Sequence, residues 1–200
     1  MISSQSNVSF TTRKIHLLLT AVVLLSLALG IMSSAATASE DGLNRGRETG
    51  LPLPRFVSLK SAAVNLRVGP GRKYPINWQY KRRGLPVEVI QEFDQWRRIR
   101  DSEGSTGWVL HSLLSSRRTG IVAPWQTPKI AFGNTVRKKL LSGKDAASKD
   151  ANTVAHIQAG LMVVIDNCQN RWCAVEAQDT RFWVKQNTLW GVYPGETVDG

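Results

Sequence analysis

Histidine is nearly absent from this 200-residue chain, which has only His16, His111 and His156. Cysteine is scarcer still, with Cys168 and Cys173 alone. A zinc-type site takes about four ligands, and His156 is the single histidine close to the two cysteines. A thiol nucleophile needs a base and an orienting group around it, and none stands beside either cysteine in sequence. Acidic residues are also few, 15 against 26 Lys and Arg, for a net charge of +11. One pair on an expected strand, Glu88 and Glu92, sits among basic residues, which suits surface ion pairing rather than the raised pKa of a general acid. The Gly69-Pro70-Gly71 turn lacks the Lys-Ser/Thr pair and following helix of a phosphate loop. The residues point to no enzyme and no cofactor.

Long apolar runs are equally rare, and the one present is at the start. Arg13 and Lys14 precede an apolar run from Ile15 to Ile31, and Ala36-Thr37-Ala38 follows with small residues. That order describes a secretory signal peptide over residues 1–38, with cleavage expected after Ala38. The alternative is an uncleaved membrane anchor, although the run falls short of the ~20 residues that a spanning helix prefers. Export permits disulfides and argues against nucleic acid as a partner. Residues 39–54 are polar, rich in Gly and closed by two prolines, which predicts a flexible leader.

What is abundant is positive charge, and it is uneven. Residues 55–118 carry 13 basic and 5 acidic side chains, whereas residues 119–200 carry 9 and 7. A basic surface on an exported chain suits anionic envelope polymers, lipid head groups or peptide carboxylates, although it also serves solubility.

The chain also contains a repeat. Gly84, Leu85, Val87, Val89, Trp96 and Ile99 recur 76 positions on as Gly160, Leu161, Val163, Ile165, Trp172 and Val175. Trp108, Val109 and Leu114 recur as Trp183, Val184 and Leu189 at a spacing of 75. Such a period means two copies of one small unit. Within each copy the apolar period is two, the mark of strands, with turn residues every 8–12 positions. Val87, Val89, Ile99 and Val109 are expected in the first core. The prediction is mainly β: two tandem five-stranded, partly open barrels, which cover their sheet edges. The first spans 55–122, closed by a strand at Thr119–Val122; the second spans 123–195, with a tail at 196–200.

The run Val64–Gly71 (VNLRVGPG), then YPI, GLPVEVI, WRRI and GWV, resembles the bacterial SH3-type domain of exported alphaproteobacterial proteins. NRWCAVEA, FWV and LWGVYPGE resemble a divergent second copy, so the likeness covers about Phe56–Glu196. The resemblance implies small SH3-like barrels that are non-catalytic and bind cell-wall peptides or other envelope components. The expected ligand surface is an aromatic and basic face of the first copy: Tyr74, Trp78 and Tyr80, with Arg82 and Arg83, and Trp96 with Arg98 and Arg100. Flat rings give contact area and Arg forks grip carboxylates. Trp108 reads more readily as core. The second copy replaces Trp78 and Tyr80 with Val154 and His156, and Arg98 and Arg100 with Ala174 and Glu176, so it is expected to bind less. Partners are a cell-wall peptide, an anionic envelope polymer or an envelope protein, and the membrane only if the leading segment stays attached.

Cys168 and Cys173 align with Glu92 and Arg97. Across a strand–turn–strand, the spacing brings each pair together at a hairpin mouth. Export favours a disulfide in the second copy over free thiols or a metal.

Overall fold

A computed structural model describes residues 44–126 and 140–199. The expected signal peptide, the first residues of the leader and residues 127–139 of the second copy lie outside the described residues. Among those described, no helix is long and apolar enough to cross a membrane.

The structure is mainly β. The first copy runs β1 (Arg55–Leu59), β2 (Val64–Arg67), β3 (Ile76–Tyr80), β4 (Pro86–Phe93), β5 (Trp96–Arg100) and β6 (Thr106–Leu110). A single 3-10 turn at His111–Leu113 then leads to β7 (Leu114–Ser115). The second copy runs β8 (Thr119–Val122), β9 (Leu140–Lys144), β10 (Thr153–Gln158), β11 (Met162–Gln169), β12 (Trp172–Ala177) and β13 (Thr180–Lys185). Another 3-10 turn, Gln186–Thr188, precedes β14 (Leu189–Trp190). Each copy forms a seven-stranded antiparallel sheet, in the orders β3-β2-β6-β5-β4-β1-β7 and β10-β9-β13-β12-β11-β8-β14. The end strands of each order do not pair, so neither sheet closes. Seven strands appear where five were expected because each copy adds a leading strand and a two-residue closing one.

The strand at Thr119–Val122 does not close the first unit. It pairs with β11 and β14, placing Gly120 opposite Val163, as β1 pairs with β4 and β7 and places Val57 opposite Val87. β8 is therefore the first strand of the second copy, and the change of sheet falls between Ser115 and Thr119.

Two-residue alternation builds both cores. Val87, Val89, Ile99 and Val109 are fully buried, and Val163, Ile165, Val175 and Val184 repeat them at 2%, 5%, 0% and 2% exposure. Beyond an irregularity between Val89 and Gln91, Glu92 pairs with Arg97 on the face of Ile99, rather than sharing the outer face of β4 with Glu88 as expected. Glu88 and Glu92 are buried because other parts of the chain lie over them.

Residues 44–54 lie over Glu92 rather than trailing away as a leader. The amides of Glu48 and Thr49 donate to Glu92 Oε2 at 2.9 and 3.0 Å. The Thr49 hydroxyl and Arg55 Nη2 donate to Oε1 at 2.7 and 2.8 Å. A Cβ at Gly46 would overlap the Glu92 carboxylate, so a larger residue there would displace that carboxylate from its partners.

The end of the second copy lies over Glu88. Tyr193 Oη donates to Glu88 Oε1 at 2.8 Å, and the Phe56 ring meets Trp190 edge-on at 5.1 Å and Tyr193 at 4.7 Å. The Thr119 hydroxyl donates to the Gly84 carbonyl at 2.7 Å. Arg118, in the link between copies, holds Glu196 and the Gly191 carbonyl at 2.7 and 2.8 Å. The two copies are thus packed and hydrogen-bonded to one another.

Candidate functional site

Of the aromatic and basic residues expected to bind ligand in the first copy, the structure buries two rings and leaves others exposed on separate elements. Tyr80 and Trp96 are only 6% and 8% exposed, although Tyr80 lines a groove together with Trp78. Tyr80 points inward from β3 and its hydroxyl donates to Asp101 Oδ2 at 2.9 Å. Burial, then the charges of Asp101 and Glu103, pushes its phenol far above the ordinary value. Arg100 is engaged, with Nε donating to Glu88 Oε2 at 2.7 Å. Trp108 is buried, as expected.

The remaining candidates are on separate elements. Tyr74 folds back over its own loop, so close to Gly69 that a Cβ there would lie 2.6 Å from the ring; Arg67 Nη1 donates to its carbonyl at 2.7 Å. Trp78 is 61% exposed. Arg82 and Arg83 are exposed in the turn before β4, and Arg98 is exposed on β5.

The second copy presents a more developed groove. An open cavity of about 800 Å³ lies between three segments. One is the 145–152 loop joining β9 to β10, one is the Asn170-Arg171 turn joining β11 to β12, and one is the start of the 3-10 turn after β13. Pro194 and Gly195 form a further wall.

Each segment has a local cause. The β11–β12 turn closes tightly because Asn170 and Arg171 take positive φ values of 51° and 65°, a region that Asn tolerates better than most residues. Its Arg171 carbonyl accepts from the Gln186 amide at 2.9 Å, tying turn to 3-10 turn. Gln186 is 4% exposed; its side-chain amide donates to the Glu196 carbonyl at 2.7 Å and accepts from the Gly195 amide at 3.0 Å. Gln186 therefore positions the Pro194–Gly195 wall and is not a free ligand contact. The 145–152 loop is braced by Lys144 Nζ on the Ala151 carbonyl at 2.9 Å and by Asn152 on Asp145 at 2.9 Å.

Trp172 is the centre of this groove. It lines the large cavity and also a smaller one of about 280 Å³ beside it, and Lys149 and Lys185 line both. Lys185 is its cross-strand partner, with Nζ 6.0 Å from the ring centroid. Arg171, Asn170 and Asn187 add a cation and two amides, while the single lining carboxylate, Asp150, lies 2.8 Å from Lys149 Nζ. An indole flanked by amines and amides suits an extended ligand with apolar surface and carboxylates.

Sequence reasoning had discounted this copy. The repeat retains Trp172, but Lys149 and Lys185 are not among the residues to which the sequence points. The available signal was the polar 144–152 loop, which takes the place of the Gly-Pro turn and brings Lys149 to the ring. The expected exchange at β3 also shifts by one residue. Leu141 opposite Ile157 repeats Val64 opposite Tyr80, so Trp78 and Tyr80 correspond to Ala155 and Ile157.

Cys168 and Cys173 form a disulfide, their Cα atoms 4.1 Å apart and directly paired. Such closeness belongs to the non-hydrogen-bonded type of antiparallel pair. The amide of Cys168 instead donates outward to the Val198 carbonyl at 2.9 Å. Among the described residues, no three of His, Cys, Asp and Glu gather in a metal-binding group.

A family model described as "Bacterial SH3 domain" matches the chain twice, at residues 60–116 and 144–191. No curated protein matches it. Among solved structures, NlpC2 from Trichomonas vaginalis is similar at 10% identity and a TM-score of 0.29, over 74% of this chain and 51% of that chain. NlpC1 from Trichomonas vaginalis is similar at 10% identity and a TM-score of 0.30, over 78% and 51%. The chain spans about half the length of these two proteins.

Proposed function

The chain belongs to the bacterial SH3 domain family, and from that premise we propose an exported, non-catalytic module that binds a cell-wall peptide or another anionic envelope ligand in the groove of its second copy. One observation carries the choice of site: Trp172 stands between two cavities with Lys149 and Lys185 bordering both. Ring faces give contact area at low entropy cost, and paired amines attract the carboxylates of an extended peptide. The first copy supports the reading less well, because Trp96 and Tyr80 are buried and Arg100 is held by Glu88. The groove lining contains neither His nor Cys, and a binding role asks for neither. A disulfide between Cys168 and Cys173 supports export, since such bonds persist in oxidising compartments.

Co-sedimentation with purified cell-wall sacculi tests the proposal. Retention should fall as salt rises. The substitutions Trp172→Ala and Lys149→Ala/Lys185→Ala should each reduce it by about tenfold or more, while Arg98→Ala should leave it nearly unchanged. Retention that survives loss of Trp172, or that is lost with Arg98, would move the site to the first copy or end the proposal.

A further inference from the structure

The junction between the copies holds a second groove, of about 410 Å³, with a different chemistry. Its floor is apolar, with Leu85 from the first copy and Ile121 and Pro124 from the second. One wall is Trp78, whose indole is 61% exposed on the end strand of its sheet. The other wall is the β5–β6 hairpin turn, which contributes Asp101, Ser102, Glu103 and Ser105.

The charge of this groove runs against the rest of the molecule. The chain has 26 Lys and Arg and a net charge of +11, yet the groove lining contains two carboxylates and no Lys or Arg. The two carboxylates are not equivalent. Asp101 is committed within the fold: Oδ2 accepts from the Tyr80 hydroxyl at 2.9 Å, and Oδ1 accepts from the amides of Glu103 and Ser105 at 3.0 and 2.9 Å. Glu103 is exposed at the tip of the turn. It lines the groove directly. The sequence had suggested that Trp78 works with an arginine rim; the fold instead places it opposite acids.

We propose that this groove binds a primary amine at the end of an aliphatic chain, as in a lysine-like residue of a peptide, with the ammonium between the Trp78 face and the Glu103 carboxylate. An indole face attracts a cation within about 6 Å of its centroid. The carboxylate supplies charge-assisted hydrogen bonding, and the Leu85, Ile121 and Pro124 floor accommodates the methylene stem, as long cationic side chains require. An anionic ligand would meet like charge here, so the site differs from the Trp172 groove in the sign of its ligand. Both copies contribute to the lining, so the groove exists only in the tandem arrangement.

The test is a two-dimensional NMR titration of the full chain with the blocked tripeptide acetyl-Ala-Lys-Ala-amide, its Nε-acetylated counterpart and an N-acetylglucosamine disaccharide. The free-amine peptide should shift the Trp78 indole N–H and the Glu103 amide. Nε-acetylation, Trp78→Ala and Glu103→Gln should each weaken binding by about tenfold. Trp172→Ala should leave it unchanged, which separates this site from the groove of the second copy. Both groove substitutions are at exposed positions, and retained spectral dispersion verifies folding. Equal binding of the acetylated peptide, an equal response to the disaccharide, shifts centred on Trp172, or no shift at millimolar peptide would each overturn the proposal.

Discussion

Glu92 is the residue on which the start of the described chain depends. Burial opposes its ionisation, but hydrogen bonds from the Thr49 hydroxyl, Arg55 and the amides of Thr49 and Glu48 outweigh that cost and hold its pKa down to about 2. A depressed carboxyl contributes stability above its unfolded value and loses it as pH falls through the folded one. The protein should therefore weaken from about pH 5 down toward pH 2, as protons are taken up by the unfolded chain first. Glu92→Gln keeps the shape, removes the charge and leaves Arg55 and Arg97 facing a neutral amide. Breaking one side of a buried pair costs about 3 kcal/mol or more. The urea midpoint should fall at pH 7, and the loss of stability between pH 5 and 2 should be smaller in the variant. An equally steep acid loss in the variant would place the titration elsewhere. The pairing of Glu92 with Arg97 was legible from the repeat, and the structure places Arg97 Nε 3.5 Å from Glu92 Oε1. Its burial was not legible, because the covering residues 44–54 have the composition of a loop and pair through backbone amides that carry no sequence signature.

At the scale of elements, the β4–β5 and β11–β12 hairpins show one backbone closed by two chemistries. Glu92 opposite Arg97 in the first becomes Cys168 opposite Cys173 in the second. The covalent link spans few residues, so its effect on unfolded-chain entropy should lie below the ~3 kcal/mol of a 15-residue loop. Reduction should lower the melting temperature by a few degrees without abolishing folding, and peptide mapping should find no alkylatable thiol before reduction. Two free thiols in the exported protein would refute the bond. The same hairpins show where alternation served and where it failed. Val87, Val89 and Ile99 were correctly assigned to the core because one face of a strand must be apolar. Both long strands carry an irregularity, between Val89 and Gln91 and between Ile165 and Asn167, and beyond such a break strict parity ceases to assign faces. Glu92 lies beyond it and turns to the face of Arg97 and Ile99, away from that of Glu88. Thr119–Val122 was assigned to the wrong unit for another reason. A short apolar run gives no sign of which sheet it will join, and β8 and β9 are separated by many more residues than β1 and β2, which hid the repeat.

At the scale of the whole molecule, the joint between copies decides whether there are two domains or one. The Phe56 ring reaches from the first sheet to Trp190 and Tyr193, the Tyr193 hydroxyl reaches Glu88, and Arg118 holds Glu196. Each copy alone has about 65–75 residues, close to the size at which a core barely sustains itself. The shared contacts should then make the pair unfold as one cooperative unit. Removing a buried aromatic costs about 3–5 kcal/mol, and Phe56→Ala takes that from the joint while leaving Val87, Val89 and Ile99 in place. The expected result is a single calorimetric transition in the parent protein and two separable ones in the variant, the disulfide-linked copy melting second. Tyr193→Phe, which deletes only the bond to Glu88, should shift the midpoint without splitting the transition. Because Ile121 and Pro124 face Trp78 across that joint, Phe56→Ala should also weaken the amine-bearing peptide while leaving the Trp172 groove competent. A variant that still melts in one step and binds both ligands normally would mean that the copies are coupled through the Thr119–Gly84 and Arg118–Glu196 contacts alone.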